Sequence, residues 1–128
     1  METKNYPDAT TVLTLIVQVD ATTSKEIEAA LQKLVDDGAR NIICNCSQTK
    51  YISSAGLRVL LAYSKLLKKS GGRLGIICPK ASYAYEVLET AGFSGIIPVF
   101  ENEADAVLGG LYAPPASSGT MRSTPIGS

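Results

Sequence analysis

Two adjacent hydroxyls, Ser53 and Ser54, stand in the run Lys50-Tyr-Ile-Ser-Ser-Ala-Gly-Leu-Arg-Val-Leu-Leu61, where a loop gives way to an apolar helical pattern. A helix N-terminus offers free backbone N–H groups and the positive end of the helix dipole, so an anion is favoured there. A phosphoryl group on such a serine would gain those N–H groups, and Arg58 follows Ser54 by one turn on the same face. On spacing alone a purely structural role is the better reading: either serine can cap the helix, a contribution of about 1 kcal/mol.

Other chemistries find less support. The 128 residues include no histidine and no tryptophan. The first absence removes the Ser-His hydrolases, the histidine phosphocarriers and most zinc sites. A receiver-type phosphoacceptor needs an aspartate at a strand end with an acid pair for magnesium. Here Ile42-Ile-Cys-Asn45 ends in asparagine, and no acid occurs between Asp37 and Glu86. Gly71-Gly72 follows a helix instead of joining strand to helix, so it reads as a cap and turn, not a phosphate loop. Cys44, Cys46 and Cys78 are three cysteines without further soft ligands, which points to buried, inert thiols and a reducing cytoplasm. No metal and no cofactor is expected.

The elements that must hold Ser53 and Ser54 follow from periodicity. Val12–Val19 is a continuous β-branched and apolar run, expected as one buried strand. Ile27, Ala30, Leu31, Leu34 and Val35 have helical spacing, with Thr23 or Ser24 as cap and Gly38 as terminator. Asn41–Cys44 is a second strand. Leu57, Leu60, Leu61, Ser64 and Leu67 predict a helix from about Ser54 to Lys69, closed by Gly71-Gly72. A strand over Leu74–Cys78, a helix over Tyr83–Ala91 ended by Gly92, a strand over Ile96–Phe100 and a last helix through Ala104, Val107, Leu108 and Leu111 complete the pattern. Alternating strands and helices at this spacing imply an α/β sheet with helical cover. Pro98 cannot donate to a ladder, which places the last strand at an edge.

The chain is expected to form one domain over 1–111, followed by a flexible tail over 112–128, where eleven of seventeen residues are Pro, Ser, Thr or Gly. No apolar run approaches the ~20 residues of a membrane span, and the polar start lacks the apolar core of a signal peptide. Charge is unevenly placed within a net of zero. Residues 1–37 carry seven acids and three bases, and residues 86–128 five acids and one base; residues 38–85 carry eight bases and no acid. That middle block is either a solvated helix face or a surface that meets an acidic partner. A bulk nucleic-acid or membrane partner is not expected at zero net charge.

In order along the chain, Val-Gln-Val-Asp20-Ala-Thr, Ile-Ile-Cys-Asn-Cys-Ser, Tyr-Ile-Ser-Ser-Ala-Gly-Leu-Arg-Val-Leu-Leu, Ser-Gly-Gly-Arg-Leu-Gly-Ile-Ile-Cys, Val-Leu-Glu-Thr-Ala-Gly-Phe and Ile-Ile-Pro-Val-Phe-Glu-Asn-Glu-Ala-Asp-Ala-Val resemble the STAS domain family, and within it the single-domain anti-sigma factor antagonists. The resemblance spans about Val12 to Leu111. It implies a mixed β-sheet with about four helices packed against it, and a regulator instead of an enzyme. It further implies a partner switch. The unphosphorylated antagonist binds an anti-sigma factor that is also a GHKL-type serine kinase, phosphorylation releases it, and a serine phosphatase resets it. Aligned on Gly56, the acceptor falls on Ser54, with Ser53 as second choice. Ser53 occupies the position of the usual aspartate, Asn45 that of a strand-end aspartate and Val17 that of a frequent glycine, while Asp20 keeps the expected carboxylate. Asp20, Asn45, Ser53, Gly56 and Arg58 are the expected partner-binding residues, with Gly56 letting the partner approach closely, and the protein is expected as a monomer or weak homodimer. The alternative within the resemblance is a constitutive scaffold, a subunit of a signalling or lipid-transport complex in which Ser54 only caps a helix.

Overall fold

The computed structural model describes residues 1–7 and 9–112. Seven strands and four α-helices follow in the order β1 (Thr3–Tyr6), β2 (Thr10–Thr14), β3 (Gln18–Val19), α1 (Thr23–Asp36), β4 (Asn41–Asn45), β5 (Tyr51–Ile52), α2 (Ser54–Lys69), β6 (Arg73–Ile77), α3 (Tyr83–Thr90), β7 (Val99–Phe100) and α4 (Glu103–Tyr112). A single 3₁₀ turn over Phe93–Gly95 precedes β7. Five strands form the main sheet in the order β1-β2-β4-β6-β7, with β1 antiparallel to β2 and the remaining neighbours parallel. It is a mixed α/β fold with four helices, as expected. β7 closes one edge immediately after Pro98 but covers only the last two residues of the expected strand Ile96–Phe100, because Ile96 ends the 3₁₀ turn.

The central strands are apolar on both faces because both faces are covered. Leu13, Ile42, Cys44, Leu74 and Ile76 join Ile27, Leu31, Leu60, Leu67 and Leu88 in the larger core, beneath α1, α2 and α3. Val12, Ile43 and Ile77 point the other way, onto Ala106 and Val107 of α4. The stripes read from the sequence for α1 and α2 face the core, and α2 spans the predicted Ser54–Lys69. On α4 the expected stripe fails, because Ala106 and Val107 are buried while Ala104 and Leu108 are exposed. Gly38, just past α1, takes φ 98°, a conformation that glycine adopts without penalty. α4 reaches Tyr112, one residue past the expected domain end; the remainder of the Pro/Ser/Thr/Gly-rich stretch lies outside the described residues.

Three further expectations change. The run Val12–Val19 is not one strand. β2 ends at Thr14, the chain crosses over through Leu15–Val17, and β3 pairs in parallel with β5 in a separate two-stranded ribbon. Hydrogen bonds mark the change of partner: Leu15 N donates to Asn45 O (2.9 Å), while Lys50 N donates to Val17 O (2.7 Å). Second, the polar N-terminus supplies a strand, β1, whose residues are exposed or half-buried and so carry no apolar signature. Tyr6 and Lys4 reach across to Glu103 at the start of α4, Lys4 at 3.2 Å. Third, neither Thr23 nor Ser24 caps α1 by its side chain; Asp20 does.

Candidate functional site: the ribbon and the two helix starts it joins

The β3–β5 ribbon delivers the chain to the N-termini of α1 and α2. In register, Gln18 lies opposite Tyr51 and Val19 opposite Ile52. Val19 and Ile52 point into the core. The residues immediately after this last pair are Asp20 and Ser53, and Ser53 N donates to Val19 O at 2.8 Å. One short ribbon thus sets Asp20 and the Ser53-Ser54 pair side by side.

The two serines have different tasks. Ser53 is the N-cap of α2: its backbone is extended and its Oγ accepts from Gly56 N at 3.3 Å. Ser54 is the first helical residue and is exposed, and its hydroxyl makes no hydrogen bond to the described residues. Arg58 is exposed one turn further along and forms no ion pair among the described residues.

Asp20 is held by the first turn of α1. Its Oδ1 accepts from Thr23 N (2.9 Å) and Thr22 N (3.0 Å), and its own amide donates to Thr23 Oγ1 (2.8 Å). The Thr23 amide, then the Thr23 hydroxyl, hold this carboxyl below the usual aspartate value against a smaller opposing effect of burial. Asn45 ends β4 and its side-chain oxygen accepts from Ser47 N at 3.0 Å, which turns the chain toward the ribbon. No hydrogen bond among the described residues joins that side chain to Asp20, Ser53 or Ser54.

Gly56 corrects an expectation. It is buried, and a Cβ there would meet Val19 Cγ1 at 2.5 Å and Ile52 Cγ2 at 3.3 Å. The close approach that glycine permits is between α2 and the ribbon of this chain, not toward a partner. Two residues outside the expected partner-binding set also lie on this surface. Val17 and Tyr51 are 50% and 45% exposed, on the strand segments that build the ribbon. Val17 was hidden from sequence reasoning inside an apolar run that reads as core throughout.

A cleft of about 630 Å³ lies elsewhere, between β1, β2 and the far end of α1, where Asn5, Thr10, Lys33 and Asp37 line it. Among the described residues no three His, Cys, Asp or Glu side chains are placed to share a metal ion. Cys44, Cys46 and Cys78 are free thiols buried in the larger core. No described helix is long and apolar enough to cross a membrane.

Residues 1–106 match the model of the STAS domain. The chain belongs to the STAS domain family. Among curated relatives of this STAS domain is the putative anti-sigma factor antagonist BtrV of Bordetella bronchiseptica, 38% identical over 81 residues, which are 63% of this chain and 69% of the relative. Its fold is shared with an anti-sigma factor antagonist from Mycobacterium paratuberculosis, at a TM-score of 0.76 and 20% identity, covering 86% of this chain and 92% of the other. It is shared too with the anti-sigma factor antagonist SpoIIAA in its unphosphorylated form, at 0.68 and 22%, covering 84% and 96%. The Bacillus SpoIIAA in its phosphorylated form also matches, at 0.64 and 20%, covering 83% and 95%.

Proposed function

We propose that this STAS domain is an anti-sigma factor antagonist working by partner switching, with Ser54 as the regulatory phosphoacceptor. Unphosphorylated, it binds an anti-sigma factor that is a GHKL-type serine kinase, in the cytoplasm. Phosphorylation of Ser54 releases it, and a serine phosphatase restores it. It acts by binding, with no catalytic role and no cofactor of its own; ATP and magnesium belong to the kinase.

One observation carries this reading. Ser53 takes the helix cap, which leaves the Ser54 hydroxyl exposed and uncommitted at the first position of α2. A kinase can therefore take Ser54 as substrate without dismantling the cap. The phosphoryl group adds roughly −1.5 to −2 charges and considerable bulk to a surface that must pack closely against a partner. Asp20 and Ser53 flank this switch point, Arg58 follows it by one turn, and Gly56 holds α2 tightly on the ribbon behind it.

The test is incubation with the candidate kinase and ATP, followed by mass spectrometry of the modified peptide. Phosphate is expected on Ser54, and Ser54→Ala should abolish its incorporation yet still bind the kinase. Ser54→Asp should stay folded, because a carboxylate at a helix N-terminus is favourable by roughly 0.3–1 kcal/mol. It should bind much more weakly. Undiminished binding by protein verified as phosphorylated at Ser54 would refute the switch and leave a constitutive scaffold.

A further inference from the structure

The eight bases of residues 38–85 are not spread at random over the molecule. Arg58, Lys65, Lys68 and Lys69 are all exposed on α2, and Lys50 is exposed where the chain enters β5. Ser54, Arg58, Ala62, Lys65 and Lys69, spaced by three or four residues, form one row along the outer side of that helix. The ion pairs among the described residues are Lys4–Glu103 and Lys33–Asp37, both elsewhere. The cations of α2 therefore form no ion pair with an acid among the described residues. Nor does the neighbouring Asp20 answer them, since its carboxylate serves the start of α1. The ribbon that leads into the N-terminal end of this row carries the exposed apolar side chains Val17 and Tyr51.

We infer that this face, α2 from Ser54 to Lys69 with the outer side of the ribbon, docks an acidic surface of a protein partner. The inference rests on the partner-switch reading and names the chemistry of the partner's surface. Charge complementarity favours it: a row of like charges repels itself, and acids from a partner relieve that repulsion. A protein is favoured over a nucleic acid or a membrane. The whole chain is neutral, its flanking segments each carry an excess of four acids that repel an extended polyanion, and Val17 and Tyr51 suit an apolar contact ringed by charge. The same arrangement explains how one phosphoryl group undoes the contact. Ser54 heads the cationic row, so its phosphate both satisfies Arg58 one turn away and faces the partner's acids with like charge.

The experiment titrates the purified kinase that serves the phosphorylation test against unphosphorylated protein at about 0.05 M and about 0.5 M NaCl, where screening lengths differ severalfold. Binding should weaken by about tenfold or more at the higher salt. The double reversal Arg58→Glu/Lys65→Glu should weaken low-salt binding by a similar factor, with its fold checked by circular dichroism, both side chains being exposed. Lys33→Glu, in the last turn of α1, should leave binding unchanged. If the kinase phosphorylates Ser54 but its binding ignores both salt and the double reversal, the acidic-partner inference falls and the switch stands. A kinase that neither binds nor phosphorylates the chain removes both. Tighter low-salt binding to duplex DNA or to phosphatidylserine vesicles than to the kinase would also overturn the inference.

Discussion

Ser53 and Ser54 are chemically identical and adjacent, yet the backbone gives them opposite roles. Ser53 is extended, so its oxygen can turn back to the amide of Gly56; Ser54 is already helical and its hydroxyl is left to solvent. Ser53→Ala should therefore cost about 1 kcal/mol of stability, whereas Ser54→Ala should cost close to nothing. Chemical denaturation of the two variants checks this, and equal losses would mean that the cap is shared. Asp20 supplies the acid-side counterpart. Its folded-state pKa lies below the ordinary value of 3.8, chiefly through the Thr23 amide and hydroxyl. A carboxyl depressed in this way contributes stability that is fully present above its unfolded pKa and is lost as pH falls through the folded one. Asp20→Asn keeps an oxygen for the cap but does not titrate. Melting curves over a pH series should show a shallower acid limb for Asp20→Asn than for the wild type; superimposable limbs would contradict the assignment.

At the scale of elements, α2 and the ribbon form one unit, and its tightness depends on Gly56. Gly56→Ala brings a methyl group against Val19 Cγ1 and Ile52 Cγ2, and neither β-branched side chain can swing far aside within the core. A loss of about 1–3 kcal/mol is expected, the usual consequence of overpacking, read as a lower denaturation midpoint with an unchanged slope. An unchanged midpoint would show that the ribbon yields easily. The helix α2 was legible residue by residue because its apolar stripe, its terminating glycines and its basic last turn agree with one another. The ribbon was not legible. Its strands are two residues each, and one of them lies wholly inside the run Val12–Val19 that reads as a single strand. Periodicity reports burial and says nothing of which strand is the neighbour, so the change of partner after Thr14 leaves no trace in residue types.

Across the whole molecule, burial decides the chemistry of the cysteines. Desolvation pushes the Cys44 thiol up to about 12 and the Cys46 thiol well above its usual value, and it raises Cys78 too. The thiolate is the reactive form, so iodoacetamide at neutral pH should leave the three thiols of the native protein unlabelled and modify all of them in guanidinium chloride. Mass spectrometry distinguishes the two states, and fast labelling of the native protein would show that the core opens. The sequence by itself determined the α/β pattern, the edge position of the last strand, the bounds of α2 and the clustering of bases, because each depends on local spacing, on proline's missing donor or on residue counts. Tertiary structure alone decided the rest. It gave the cap of α1 to Asp20 instead of Thr23 or Ser24, turned Gly56 inward, made a polar N-terminus into an edge strand, and exposed Val17 within an apolar run. The reason is common to all four: the same side chain is a cap, a spacer, an edge or a surface according to what lies opposite it, and residues far apart in the chain supply what lies opposite.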